Sequence, residues 1–227
     1  IEALAQAAAA AGWHQPTAVQ AAVLPAALDG RDVLALAPTG SGKTAAFLLP
    51  LLQRLLLTPG LAAERPRRLR VLLLAPTREI ALQTADAARA LLAGLHGAPT
   101  LVVAVGGASI NPQLMALRGG AHLLVATPGR LLDLLAHNAF GRPGRPGRPG
   151  GVGRVAGEGA LADLGALVLD EADRLLDLGF ADELQRVLAA LPPQRQTLLF
   201  SATLPPAVQA LANGLLHDPL RVDARVP

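Results

Sequence analysis

Residues 37–44 read Ala-Pro-Thr-Gly-Ser-Gly-Lys-Thr, a composition suited to holding phosphate. The glycines let successive backbone N–H groups turn inward around an anion, and a helix beginning at the end of the run would add positive potential. Lys43 would bring a compact point charge to the β- and γ-phosphates, and Thr44 a hydroxyl to a magnesium ion. Ala37 stands where the first glycine of such a loop is usual. Lys43 is also the single lysine among twenty basic residues, so an ammonium occurs only where a planar guanidinium would not fit.

A second element is acidic. Asp170-Glu171-Ala172-Asp173 directly follows the apolar run 167–169. An Asp at such a strand end can hold the shell of a magnesium ion, and the adjacent Glu can orient or deprotonate an attacking water. Asp173 also suits the first turn of a helix, where a carboxylate is favoured by the helix dipole.

Both elements need a scaffold that brings them to one edge. Apolar, Val- and Leu-rich runs recur at 32–37, 70–75, 101–105, 122–126, 166–169 and 197–200. Their hydrophobicity is nearly continuous, as required of strands covered by helices on both faces. Between them, helical patterns run over 43–57, 79–95, 129–137, 180–191 and 205–216. The alternation predicts an α/β fold with a mostly parallel sheet whose strand ends carry the chemistry.

Composition narrows the classes. The chain has 227 residues, 52% of them hydrophobic and 16% charged, which excludes a disordered chain and fits one large domain. The pI near 10.8 reflects arginine in a chain without Tyr or Cys, so the formal charge of +3 is the better guide near neutrality. No stretch is apolar for long enough to span a bilayer, and no basic-then-apolar leader opens the chain. The absence of cysteine excludes disulfides and Cys-ligated zinc, and the five histidines have no ligand spacing.

Residues 141–159 carry three tandem Gly-Arg-Pro triplets and no apolar periodicity, and are expected to form a disordered surface insert. Arg142, Arg145, Arg148 and Arg154 stand there against Glu158, so the whole net charge of the chain belongs to this segment. Passive repeat expansion is the favoured reading of this segment, with non-specific tethering of a polyanion through counterion release as the alternative.

Further signatures occur in order along the chain. GWHQPTAVQ spans 12–20, APTREIALQ begins at Ala75, Gly106-Gly107 is a glycine pair, Thr127-Pro128-Gly129-Arg130 follows the fourth apolar run, and Ser201-Ala202-Thr203 follows the last. Together with Asp170-Glu171-Ala172-Asp173 and the phosphate loop, this series resembles the DEAD-box RNA helicases. GGASINPQ and LLHDP look most like the bacterial RhlE subgroup.

The resemblance covers nearly the whole chain outside the insert. It implies a RecA-like P-loop NTPase domain over 1–219, with 220–227 beginning a linker to a second RecA-like domain. By resemblance, Gln20 supported by Thr17 would read adenine. Thr39, Gly40, Ser41, Gly42, Lys43 and Thr44 would hold ATP, with Mg²⁺ on Thr44 and Asp170. Lys43, Asp170 and Glu171 would serve hydrolysis, while Asp173, Ser201 and Thr203 would couple it to RNA.

RNA would lie against Pro76, Thr77, Arg78, Gly106, Gly107, Thr127, Gly129 and Arg130. Only five aromatic residues occur and none forms a paired base-stacking platform, so sequence-independent contacts to the sugar-phosphate backbone are expected. The resemblance implies ATP hydrolysis coupled to local RNA unwinding once the second domain is joined. An ATP- and RNA-binding module without turnover is the alternative. A cytoplasmic monomer without membrane association is expected.

Overall fold

A computed structural model describes residues 1–140 and 161–225. The Gly-Arg-Pro segment 141–159 lies outside the described residues. Seven strands, β1 (Val33–Leu36), β2 (Val71–Leu74), β3 (Leu101–Ala104), β4 (Leu123–Ala126), β5 (Ala166–Leu169), β6 (Gln196–Ser201) and β7 (Leu220–Asp223), form one sheet. Their spatial order is β3-β4-β2-β5-β6-β1-β7, and every pairing is parallel. The predicted α/β architecture is therefore the observed one.

The continuous apolar runs are explained by the two layers that cover the sheet. Helices α1 (Glu2–Ala10), α2 (Ala18–Leu28), α3 (Lys43–Leu57) and α4 (Arg78–Leu92) pack with Val33, Ala35, Val71, Leu73, Val168 and Phe200. Helices α5 (Asn111–Leu117), α6 (Pro128–Ala136), α7 (Ala172–Asp177), α8 (Ala181–Ala189) and α9 (Pro206–Leu215) pack with Leu34, Leu36, Leu72, Leu74, Leu167 and Leu169. Successive strand residues point to opposite faces, so a strand buried on both sides has no polar position to spare. Phe47 of α3 meets Phe200 of β6 edge-on at 5.3 Å, fixing the helix that follows the phosphate loop against the sheet.

Two sequence expectations change. Residues 220–223, read as the beginning of a linker, form edge strand β7 in parallel with β1, with Val33 opposite Leu220 and Leu36 opposite Asp223. Its alternating half-buried and exposed residues lack the apolar continuity of the central strands. The helices α1, α2, α5 and α7 also lie outside the helical patterns read from the sequence. α2 is apolar around most of its circumference and contains Pro25, so it shows no amphipathic stripe. Among the described residues no helix is long and apolar enough to cross a membrane.

Candidate functional site

Strand order divides the carboxyl edge of the sheet into two halves. The phosphate loop after β1, Ser201 at the end of β6 and Asp170-Glu171 after β5 stand on neighbouring strands. Thr77 after β2, Thr127 after β4 and Gly106-Gly107 after β3 occupy the adjoining half. The residues expected to hold nucleotide and those expected to meet RNA are thus segregated on one continuous edge.

In the first half, Gly42 caps α3 with φ of +93°, a conformation that only glycine adopts without strain. A Cβ placed on it would stand 2.4 Å from Gln20 Nε2 and 3.0 Å from Thr17 Oγ1. The opening helix therefore seats the phosphate loop directly. Thr17 caps α2, its N–H donates to Gln20 Oε1 at 3.0 Å, and Gln20 Nε2 donates to the Gly42 carbonyl at 3.0 Å. Each end of the Gln20 amide keeps one further hydrogen-bonding site, the number needed to engage an adenine edge.

Lys43 is buried, and its Nζ donates to the Ala37 carbonyl at 3.1 Å, folding the ammonium back into the loop. Ser41 Oγ is buried without a partner, whereas Thr39 and Gly40 are exposed at the rim and Thr44 is half-buried. Asp170 is buried and its Oδ1 has no partner. Burial pushes its carboxyl up to about 6, a rise opposed by the charge of Lys43 and reinforced by that of Glu171.

Among the described residues no cluster of three or more His, Asp or Glu side chains gathers to hold a metal. A divalent ion here would rest on one carboxylate, a hydroxyl and phosphate oxygens, the donor set that magnesium takes beside a nucleotide. The orphaned Asp170 Oδ1, together with the half-buried Thr44 hydroxyl, fits that requirement.

Glu171 caps α7 in the left-handed region with φ of +52°, a strained position for a residue with a side chain. Its carboxylate meets Arg174 at 3.1 Å and accepts from Thr39 Oγ1 at 3.5 Å. Arg174 was not among the expected residues, although its i,i+3 spacing from Glu171 carries the signal. Asp173 accepts from the Thr203 hydroxyl at 2.7 Å and the Thr203 N–H at 2.9 Å, while its own N–H donates to Ser201 Oγ at 3.2 Å. Burial alone would raise its carboxyl, but these Thr203 bonds and those from Arg174 and Ser201 hold it below the usual range.

In the other half, Thr77 caps α4 and accepts from the Ile80 N–H at 3.4 Å. Pro76 before it is buried. Arg78 reaches across to the Gly107 carbonyl at 3.4 Å, and Arg130 to the Ala108 carbonyl at 2.8 Å. Both arginines thereby tie the glycine-pair loop to the starts of α4 and α6. Thr127 caps α6, and open space surrounds Gly129 and Gly106, leaving backbone accessible there. Two cavities, of about 690 and 700 Å³, lie at the opposite sheet edge and between α8 and α9. The phosphate loop lines neither.

A glycine loop opening α3 beside strand-end carboxylates, on a parallel sheet covered by helices on both faces, defines a P-loop nucleotide-binding domain of RecA-like architecture. The chain belongs to the DEAD/DEAH box helicase family, whose profile matches residues 17–211. It is 46% identical to the probable ATP-dependent RNA helicase ddx27 of Dictyostelium discoideum, over 93% of this chain and 24% of that protein. It is 44% identical to the ATP-dependent rRNA helicase RRP3 of Ajellomyces capsulatus, over 98% of this chain and 40% of that protein.

The ATP-dependent RNA helicase DeaD of Mycobacterium tuberculosis is 41% identical, over 94% of this chain and 33% of that protein. The crystal structure of a DEAD box protein from the hyperthermophile Methanococcus jannaschii superposes with a TM-score of 0.79 at 31% identity, covering 99% of this chain and 54% of that one. The chain therefore spans less than half the length of these curated relatives.

Proposed function

We propose that this domain binds ATP with Mg²⁺ on the β1, β5 and β6 half of its edge and RNA backbone on the β2, β3 and β4 half. Joined to a second RecA-like domain, it couples ATP hydrolysis to local separation of RNA strands. The carrying observation is the juxtaposition of Lys43, Asp170 and Glu171 with the Asp173, Ser201 and Thr203 network.

Gln20, already fastened to Gly42 and Thr17, offers its remaining donor and acceptor to adenine. Thr39, Gly40, Ser41, Gly42 and Lys43 wrap the phosphates. Lys43 exchanges its bond with the Ala37 carbonyl for the β- and γ-phosphate oxygens. Thr44 and Asp170 would hold Mg²⁺, which supplies charge neutralisation at those phosphates. Glu171, kept by Arg174 and Thr39 beside the loop, takes the proton of the attacking water.

The Asp173 carboxylate links α7 to the Ser-Ala-Thr segment after β6, so a shift at Glu171 is felt at Thr203. Thr77, Arg78, Gly106, Gly107, Thr127, Gly129 and Arg130 receive phosphates and 2′-hydroxyls without reading bases, and the buried Pro76, which has no N–H to donate, sets the turn into α4.

Equilibrium binding of ATP and GTP tests the nucleotide assignment. ATP should bind more tightly to the unsubstituted domain, and Gln20→Ala should erase the preference. Equal affinities for ATP and GTP before substitution would overturn the adenine role of Gln20.

A further inference from the structure

The edge of the sheet opposite the phosphate loop carries a concentration of positive charge that neither nucleotide nor the proposed RNA track uses. Apart from the insert, the chain has as many acidic as basic residues. Yet the segments entering β2, β4 and β5, three neighbouring strands, bring Arg65, Arg67, Arg68, Arg70 and Arg118 together with Glu64 and Asp163 only. Four-residue strands separate this edge from the catalytic one by roughly 13 Å of backbone.

The carboxylates are largely consumed. Glu64 pairs with Arg70 at 2.9 Å and Arg68 at 3.6 Å and faces His122 at 3.5 Å, and Asp163 pairs with Arg68 at 3.1 Å. Arg65, Arg67 and Arg118 form no ion pair among the described residues. Arg65 touches the carbonyls of Ala62 and Glu64, and Arg67 that of Gly119, which orients each guanidinium while leaving most of its five donors unused. Arg65, Arg68 and Arg118 are exposed.

Gly120, with φ of +74°, sits against the backbone of Arg67, where a Cβ would fall 2.0 Å from the Arg67 carbonyl oxygen. The loop carrying Arg118 is therefore locked to the segment 65–70. Within 64–70 and 118–122 no large apolar side chain is exposed, and only Met115, one turn before Arg118, adds exposed apolar surface beside it, so charge outweighs apolar area in the patch. Planar guanidiniums without aromatic neighbours match phosphate oxygens rather than bases.

We propose that Arg65, Arg67, Arg68 and Arg118 form a second RNA-phosphate contact surface on the amino-terminal edge of the sheet, gripping backbone without reading sequence. The inference rests on the reading that this domain binds RNA, but it places the contact away from Arg78 and Arg130. An RNA long enough to pass around the domain would engage both edges, and the second grip would retain it while the first releases.

Anisotropy titrations of this chain with a labelled single-stranded RNA across about 50 to 200 mM salt test the surface, because the salt slope counts the phosphates contacted. The triple substitution Arg65→Gln, Arg67→Gln, Arg118→Gln keeps the ion pairs of Glu64 and Asp163. It should weaken binding at low salt by ~10-fold and reduce the slope by about 2, with ATP affinity unchanged.

Arg118→Glu, whose native side chain has no hydrogen-bond partner among the described residues, guards against misfolding and should weaken RNA binding several-fold without altering the melting temperature. Unchanged slope and affinity in both variants overturn the proposal. A parallel Arg78→Ala, Arg130→Ala variant separates the two readings. Undiminished binding there, with loss in the basic-edge variants, sinks the catalytic-edge track and leaves this surface standing.

Discussion

Gln20 and Gly42 are joined across 22 residues by a 3.0 Å hydrogen bond from the glutamine amide to the glycine carbonyl. The residue proposed to read the base is therefore a structural neighbour of the loop proposed to hold the phosphates. The same contact leaves no room for a side chain at residue 42.

Gly42→Ala should lose nucleotide binding by tenfold or more and lower the melting temperature. The left-handed conformation alone costs about 1–2 kcal/mol for alanine, and the added methyl collides with Gln20. Combining it with Gln20→Ala should recover part of the stability, because the collision with Gln20 disappears while the backbone strain and the close Thr17 side chain remain. Thermal melts of the two single variants and the double variant check this. Full additivity would show that the contact does not govern the cost.

Glu171→Gln in a fusion carrying the second RecA-like domain should abolish RNA-stimulated turnover while ATP binding persists. The chain alone should hydrolyse ATP slowly with little RNA stimulation, because the resemblance assigns the arginine finger, worth about 10³ to 10⁵ in rate, to the second RecA-like domain, and Arg174 here is held by Glu171. Arg78 and Arg130 bond the glycine-pair loop on the β2, β3 and β4 half of the edge, not the half that carries the phosphate loop. Steady-state phosphate release with and without RNA measures both effects, and fast RNA-stimulated turnover by the chain alone would overturn the division of labour.

Asp170→Asn should stabilise the fold near pH 8 while impairing Mg²⁺-dependent nucleotide binding. A carboxyl raised to about 6 in the folded state binds its proton more readily than in the unfolded chain. Its favourable contribution is complete below the unfolded value and is lost as pH rises through about 6. Replacing it with a neutral amide removes a penalty on the order of 3 kcal/mol at pH 8, and the advantage should fade as the wild type is acidified. Urea midpoints at several pH values are the measurement. A destabilised Asn variant at pH 8 would contradict the assignment.

Thr203→Ala removes the 2.7 Å hydroxyl bond to the buried Asp173 carboxylate and should cost about 1.5–3 kcal/mol. Asp173 is held below its ordinary value, so its contribution is present above the unfolded pKa and is lost as pH falls through the folded one. The difference between wild type and Thr203→Ala should therefore be widest near neutrality and shrink below about pH 4. Thr203→Ser should restore most of the loss, which equilibrium unfolding at both pH values would register.

Local chemistry was legible from residue order. Lys43 opening a helix after an apolar strand, and Asp170-Glu171 closing another, are encoded by neighbours within a few positions. The helix predicted at 43–57 is observed as Lys43–Leu57, and the strand predicted at 166–169 as Ala166–Leu169. Doubly buried strands must be apolar throughout, and a phosphate loop must carry glycine where φ is positive.

Tertiary structure alone decided which strand ends meet. Nothing local to Gln196–Ser201 states that β6 inserts between β5 and β1, yet that placement brings Ser201 and Thr203 to Asp173. The edge strand Leu220–Asp223 and the helix Ala18–Leu28 were hidden for related reasons. The first is half-exposed with charged residues at Arg221 and Asp223, and the second packs apolar residues without a clear periodic stripe. Their conformations are selected by β1 and by the phosphate loop, partners distant in sequence, and periodicity within a segment cannot encode a surface that another segment supplies.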